Sequence, residues 1–183
     1  MRGDAMGRHN GFTLVELLVV IMILGTLLAM AVPRYAGFRE QLRKTAMKAN
    51  VVEAQKAVEL FHLNQGHYPD DFYEDGAGAY FDGGDFAAEK LGKLPINPWT
   101  GREMDPDEFN PEDYDRQEDA YNTDENGPND FSGYYPGEIV YGVWEPGGAV
   151  HPVVYGLVGI GMAGMSVRDF DQDDNAVIFV RHN

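Results

Sequence analysis

From Phe12 to Val32 the chain runs through 21 residues with one charge, Glu16. As a helix rising 1.5 Å per residue, this run would reach about 31 Å, enough to cross the hydrocarbon of a bilayer. It has no polar face, so it predicts a membrane segment rather than a soluble core helix. Further on the pattern becomes one-sided. Met47, Val51, Ala54, Val58 and Phe61 recur at steps of four and three, while Lys44, Lys48, Lys56 and Glu59 fall on the opposite side. Asn64-Gln65-Gly66 supplies a stop, because glycine readily takes the left-handed conformation that ends helices. The economical reading is one helix of about 50 residues, apolar over 12–33 and amphipathic over 34–64.

In the remainder, 65–183, short β-branched and aromatic runs take over. Residues 138–144, 153–158 and 176–180 read as strands, and Pro146-Gly147-Gly148 joins the first two as a hairpin. A helical turn is expected over 86–91 (FAAEKL), before Pro95. Three antiparallel strands laid on the Met47-to-Phe61 face predict an α+β fold: a long N-terminal helix packed on a small three-stranded head.

Charge sharpens this division. The chain of 183 residues carries −16 overall, but residues 1–64 hold eight basic and five acidic side chains, a net +3. The rest holds six basic and 25 acidic ones, a net −19. So acidic a chain is a poor partner for nucleic acid, whose binding rests on neutralising phosphates. Residues 103–130 contain 12 acids and one base, Arg116, and read as a solvated, partly disordered insertion, with calcium binding or charge contacts as the alternatives. The chain has no cysteine, which excludes a disulfide framework, a thiolate metal site and a cysteine nucleophile.

Glu16 is costly in hydrocarbon unless it stays at the interface or meets a positive partner, and its position allows either. Its surroundings are informative. Gly11-Phe12-Thr13-Leu14-Val15-Glu16-Leu17 follows a short polar leader with Arg2 and Arg8 and precedes the apolar run. No small-residue signal-peptidase site follows that run. This arrangement resembles the class III signal of type IV pilin-like proteins. The resemblance implies a leader, 1–11, removed by a prepilin peptidase between Gly11 and Phe12, N-methylation of Phe12, and assembly through Glu16 and the Phe12 amine of a neighbouring subunit. An ammonium and a carboxylate, each expensive alone in an apolar core, become tolerable as a pair. Gly25 weakens the helix by about 1 kcal/mol and Pro33 removes a backbone donor. The resemblance implies unwinding between them in a filament, and a simple kink at Pro33 is the alternative.

Tyr68-Pro69, Leu94-Pro95-Ile96-Asn97-Pro98-Trp99-Thr100-Gly101 and Val154-Tyr155-Gly156-Leu157-Val158-Gly159 are similar to landmarks of the major pseudopilins of type II secretion systems, the first long one being L-P-x-D-P-W-G-x-P-Y. The resemblance implies a structural filament subunit, not an enzyme. Its partners would be copies of itself, the prepilin peptidase, the inner-membrane assembly platform with its ATPase, and minor pseudopilins. It would be anchored in the inner membrane with its head in the periplasm. The absence of cysteine favours this branch over type IV pilins, whose carboxy-terminal region is usually closed by a disulfide. A surface type IV pilin, and a membrane-anchored calcium-binding module, are the other readings. One feature opposes the orientation: Arg34, Arg39, Arg43, Lys44 and Lys48 outnumber Arg2 and Arg8, so a positive-inside count would invert the chain.

Asp169, Asp171 and Asp173 alternate like the opening of a calcium loop, whose hard oxygen ligands suit Ca²⁺. The glycine and final glutamate of an EF-hand are missing, and position 163, where the family offers an aspartate, is alanine. Gly159-Ile160-Gly161-Met162-Ala163-Gly164 spells a dinucleotide-binding string, but an Asp-rich stretch follows instead of the required helix. Trp99 reads as a core anchor. The five histidines show no ligand spacing, and Ser132 and Ser166 lie in no nucleophile motif.

Overall fold

The computed structural model describes residues 12–120, 133–170, 176–178 and 180–183. The chain divides into two compact units, Met1–Gln41 and Leu42–Asn183.

Helix α1 spans Leu14–Gln65 and continues through Gly25 and Pro33. In the first unit its residues are exposed almost throughout: Leu14, Ile21, Leu28 and Val32 are 80%, 59%, 62% and 65% accessible. In the second unit the predicted stripe is buried. Met47, Val51, Ala54, Val58 and Phe61 are at most 2% exposed, and Ala57 and Asn50 join them. Asn50 donates from Nδ2 to the Ile96 carbonyl (2.8 Å), tying the helix to the Leu94–Gly101 turn. The helix stops where expected, with Gly66 at φ 81°.

The head is α+β, but its sheet is larger and mixed. Strands β1 (Phe109–Asp113), β2 (Ile139–Trp144), β3 (Val154–Gly159) and β6 (Val180–His182) form a four-stranded sheet in that order. β2–β3 and β3–β6 are antiparallel, whereas β1 runs parallel to β2, pairing Phe109 with Ile139 and Asp113 with Val143. The expected third strand over 176–180 is divided. Ala176–Ile178 (β5) pairs instead with Arg168–Phe170 (β4) in a separate two-stranded sheet.

Alternation along β2 sends Ile139, Tyr141 and Val143 into the helix-facing core, and Val140 to the other face with Val158, Ile160 and Tyr134. Both faces are therefore covered, which explains the run of buried residues in β2 and β3. The insertion does part of this covering. Its Met104, Phe109 and Ala120 are at most 2% exposed, Phe109 stacks on Phe72 at 4.4 Å, and the short helix α2 (Gln117–Ala120) packs on β2 and β3. The solvated loop expected over 103–130 is thus corrected for 103–120. Three apolar residues scattered among the acids gain a core by folding back, while 121–130 lies outside the described residues.

Two smaller expectations also change. Residues 86–91 form no helical turn; Asp85 and Lys90 exchange backbone hydrogen bonds of 2.9 Å across a tight turn instead, and the Asp85 carboxylate accepts from the amides of Ala87 and Ala88. In the dinucleotide-like string, Gly159 ends β3 close against helix side chains: a Cβ there would lie 2.7 Å from Met47 Cγ. The following residues make a single 3₁₀ turn, Met162–Gly164, so the glycines serve packing and turning.

Candidate functional site

The amino-terminal segment carries the principal candidates. Gly11 lies outside the described residues, and Phe12 is 82% exposed just ahead of the helix. Thr13 caps α1 and Glu16 is the third residue inside it. Glu16 Oε2 accepts from Thr13 N (2.9 Å) and Thr13 Oγ1 (2.8 Å), and Glu16 N donates to Thr13 Oγ1 (3.2 Å). This is a reciprocal capping box, which satisfies orphan amides and sets a negative charge at the positive end of the helix dipole. Capping is a role of Glu16 beside the interfacial and pairing ones. The T-x-x-E spacing in front of an apolar run was the signal for this third role. The carboxylate is thereby held one turn from Phe12, facing the amino end of its own helix.

Behind it lies an exposed apolar surface, uncharged from Leu17 to Pro33. Its helix is long and apolar enough to cross a membrane, and its most apolar stretch is wholly unburied. A continuous surface of this size needs a cover, either lipid or other helices.

In the head, the Leu94–Gly101 landmark is organised around Asn97, which is 1% exposed. Its Oδ1 accepts from Trp99 N (2.9 Å) and Thr100 N (3.2 Å), and its Nδ2 donates to Glu108 Oε1 (3.0 Å) and the Pro136 carbonyl (3.2 Å). One side chain thus joins the landmark turn, the insertion and the loop before β2. Trp99 packs against the core as expected. Tyr141 in β2 donates to the Pro69 carbonyl (2.8 Å), and Tyr155, in the Val154–Gly159 landmark, donates to Glu59 Oε1 on α1 (2.5 Å). Burial pushes both phenols above their ordinary range, and the Glu59 carboxylate adds to this for Tyr155. Tyr134 donates to Glu112, and burial raises its phenol as well. Glu138 is also raised by burial, against opposing hydrogen bonds from Tyr135 N and Asn110.

The structure brings together histidines far apart in sequence. His67 and His151 stack at 3.7 Å with rings 11° from parallel, and His151 Nδ1 lies 3.2 Å from Asp70. Parallel stacked rings direct their lone pairs side by side rather than at one point. Among the described residues no group of three His, Asp or Glu could hold a metal. Of the calcium candidates, Asp171 and Asp173 lie outside the described residues and Asp169 is placed only as a residue of β4.

A family profile described as Prokaryotic N-terminal methylation motif matches residues 6–32. The chain is similar to the type II secretion system core protein G of Aeromonas hydrophila, 31% identical over 105 residues that cover 50% of this chain and 68% of that relative. To the protein of the same name from Dickeya chrysanthemi it is 31% identical over 100 residues, 50% of this chain and 64% of the relative. The corresponding protein of Escherichia coli K12 is 35% identical over 65 residues, 36% of this chain and 45% of the relative, so the chain spans less than half the length of some curated relatives it matches. No solved structure matches. With the methylation motif over the capping box and the similarity running on into the head, the chain belongs to the type II secretion system core protein G family.

Proposed function

We propose that this protein is a structural subunit of a type II secretion pseudopilus. It is made as a precursor, cut between Gly11 and Phe12 by a prepilin peptidase, methylated at Phe12, and assembled into a filament by the inner-membrane platform. The observation that carries this is the uncovered apolar stretch of α1, led by a Glu16 carboxylate held at its amino end. In the membrane, lipid covers that surface; in a filament, neighbouring helices cover it and Glu16 meets the Phe12 amine of another subunit. The head lies in the periplasm, despite the basic residues that follow the apolar run.

Intact-mass analysis tests the processing: loss of residues 1–11 with one added methyl is expected, and an uncut chain refutes it. Glu16→Ala should remain membrane-inserted but yield few filaments, and normal filaments would remove the pairing role. Protease added to the outside of spheroplasts should digest the head, and protection of 65–183 would overturn the orientation.

A further inference from the structure

A cleft of about 660 Å³ opens on the head. Its apolar floor includes Tyr73, Phe86 and Leu91, which stay 45%, 37% and 36% exposed. Its acids are Glu74, Asp75 and Glu89, and neither lysine nor arginine lines it. Asp75 is committed to the amides of Asp70 and Asp71 (2.6 and 3.1 Å), which leaves Glu74 and Glu89 at the rim, both exposed. Glu89 has φ 51°, the one positive value of a non-glycine residue among those described. A glycine would hold that turn with less strain, so the carboxylate there calls for an explanation.

On α1, Tyr35, Phe38 and Leu42 are exposed at 63%, 58% and 53%, and their spacing of three and four puts them on one helix face. Arg34 borders this seam on one side and Arg39 on the other, with the Arg39 guanidinium 5.9 Å from the centre of the Tyr35 ring. An apolar seam edged by arginines complements an apolar cleft edged by glutamates, and the −19 of residues 65–183 against the +3 of residues 1–64 has the same sense. We infer that the Tyr73–Phe86–Leu91 cleft of one copy receives the Tyr35–Phe38–Leu42 seam of a second copy in the filament. This rests on the pseudopilus reading and adds to it a specific contact between a head and a neighbouring helix.

The test uses the full-length chain in the producing bacterium, and the absence of native cysteine makes engineered pairs unambiguous. Phe38→Cys combined with Ala87→Cys, oxidised in intact filaments, should give a ladder of covalent multimers that neither single variant gives. Glu74→Lys with Glu89→Lys should lower the yield of sheared filaments at least tenfold, with processing and head melting unchanged. Adding Arg34→Glu with Arg39→Glu should restore most of it. Glu89→Gly should melt no lower than the parent yet assemble less well. Processed, methylated filaments without the ladder, or charge swaps that do not rescue, would overturn the contact while sparing the pseudopilus reading. Cross-linking of the Ala87→Cys chain only to a different protein would also overturn it. A parent chain that is neither processed nor assembled refutes both.

Discussion

Asn97→Asp changes one atom and should cost about 2–4 kcal/mol at neutral pH, at the upper end of what orphaned buried groups cost. The aspartate keeps both acceptor bonds, from Trp99 N and Thr100 N, but loses the two donated by Nδ2. The Pro136 carbonyl is left without its side-chain donor, and a second carboxylate faces Glu108 Oε1 at the 3.0 Å where a hydrogen bond had been. Burial and the neighbouring charge both raise the new carboxyl's pKa in the folded state. The penalty is therefore full at neutral pH and shrinks as pH falls through that raised value and the aspartate becomes a donor. Glu108→Gln in the same chain supplies an amide donor and removes the repulsion, which should recover about 1–2 kcal/mol as coupling between contacting residues. Urea unfolding of the full chain in detergent, followed by tryptophan fluorescence at pH 7 and pH 4.5, measures all four corners of the cycle. An Asn97→Asp chain as stable as the parent at pH 7, or a coupling near zero, would refute this account. The outcome matters for the family comparison, since the landmark's aspartate is asparagine here beside a glutamate contributed by the insertion.

Thr13→Val removes the hydroxyl half of the capping box and should fray the start of α1 at a cost of about 1 kcal/mol, seen as faster amide exchange at residues 14–17 with the head unchanged. Tyr155→Phe should lose about 1 kcal/mol at pH 7 with the bond to Glu59. Because the phenol's folded pKa lies above its unfolded value, its contribution is full below about pH 10 and is lost as pH rises further, so the variant's stability should fall less steeply in alkali than the parent's. If Asp169, Asp171 and Asp173 bind calcium, EDTA lowers the melting temperature and Ca²⁺ restores it, and the triple Asp→Asn variant abolishes both shifts; an unchanged melting temperature removes the site.

The parts legible in sequence were those governed by period. A repeat of three and four places Met47, Val51, Ala54, Val58 and Phe61 on one helix face, and all five are buried. The hairpin of β2 and β3 lies within two residues of its expected span, because β-branched runs around Pro-Gly-Gly leave little choice. β1 was not legible. Phe109-Asn110-Pro111-Glu112-Asp113 has neither β-branched residues nor clear alternation, and its pairing with β2 is decided by Phe109 reaching Phe72 and the core. The division of 176–180 between two sheets was equally hidden, since local propensity does not say which partner a short strand will find. At the candidate site, the motif over Gly11 to Leu17 is visible in the sequence, and its T-x-x-E spacing carries the bonds Glu16 makes to Thr13. The Asn97 hub was out of reach, because Glu108 and Pro136 are brought to it only by the tertiary fold.

The parallel pairing of β1 with β2 has a kinetic consequence. β2 and β3 can zip together from their own short connection, but β1 joins only after residues 114–138 close on themselves, at an entropic cost of about 3 kcal/mol. That connection holds seven acids and one base, so closing it also concentrates negative charge. The last step of folding should therefore be slow in dilute buffer and accelerate as salt screens the repulsion, while the hairpin forms at a rate that salt hardly changes. A newly made head would then wait, with one face of its sheet uncovered, until the surrounding ions let β1 find β2.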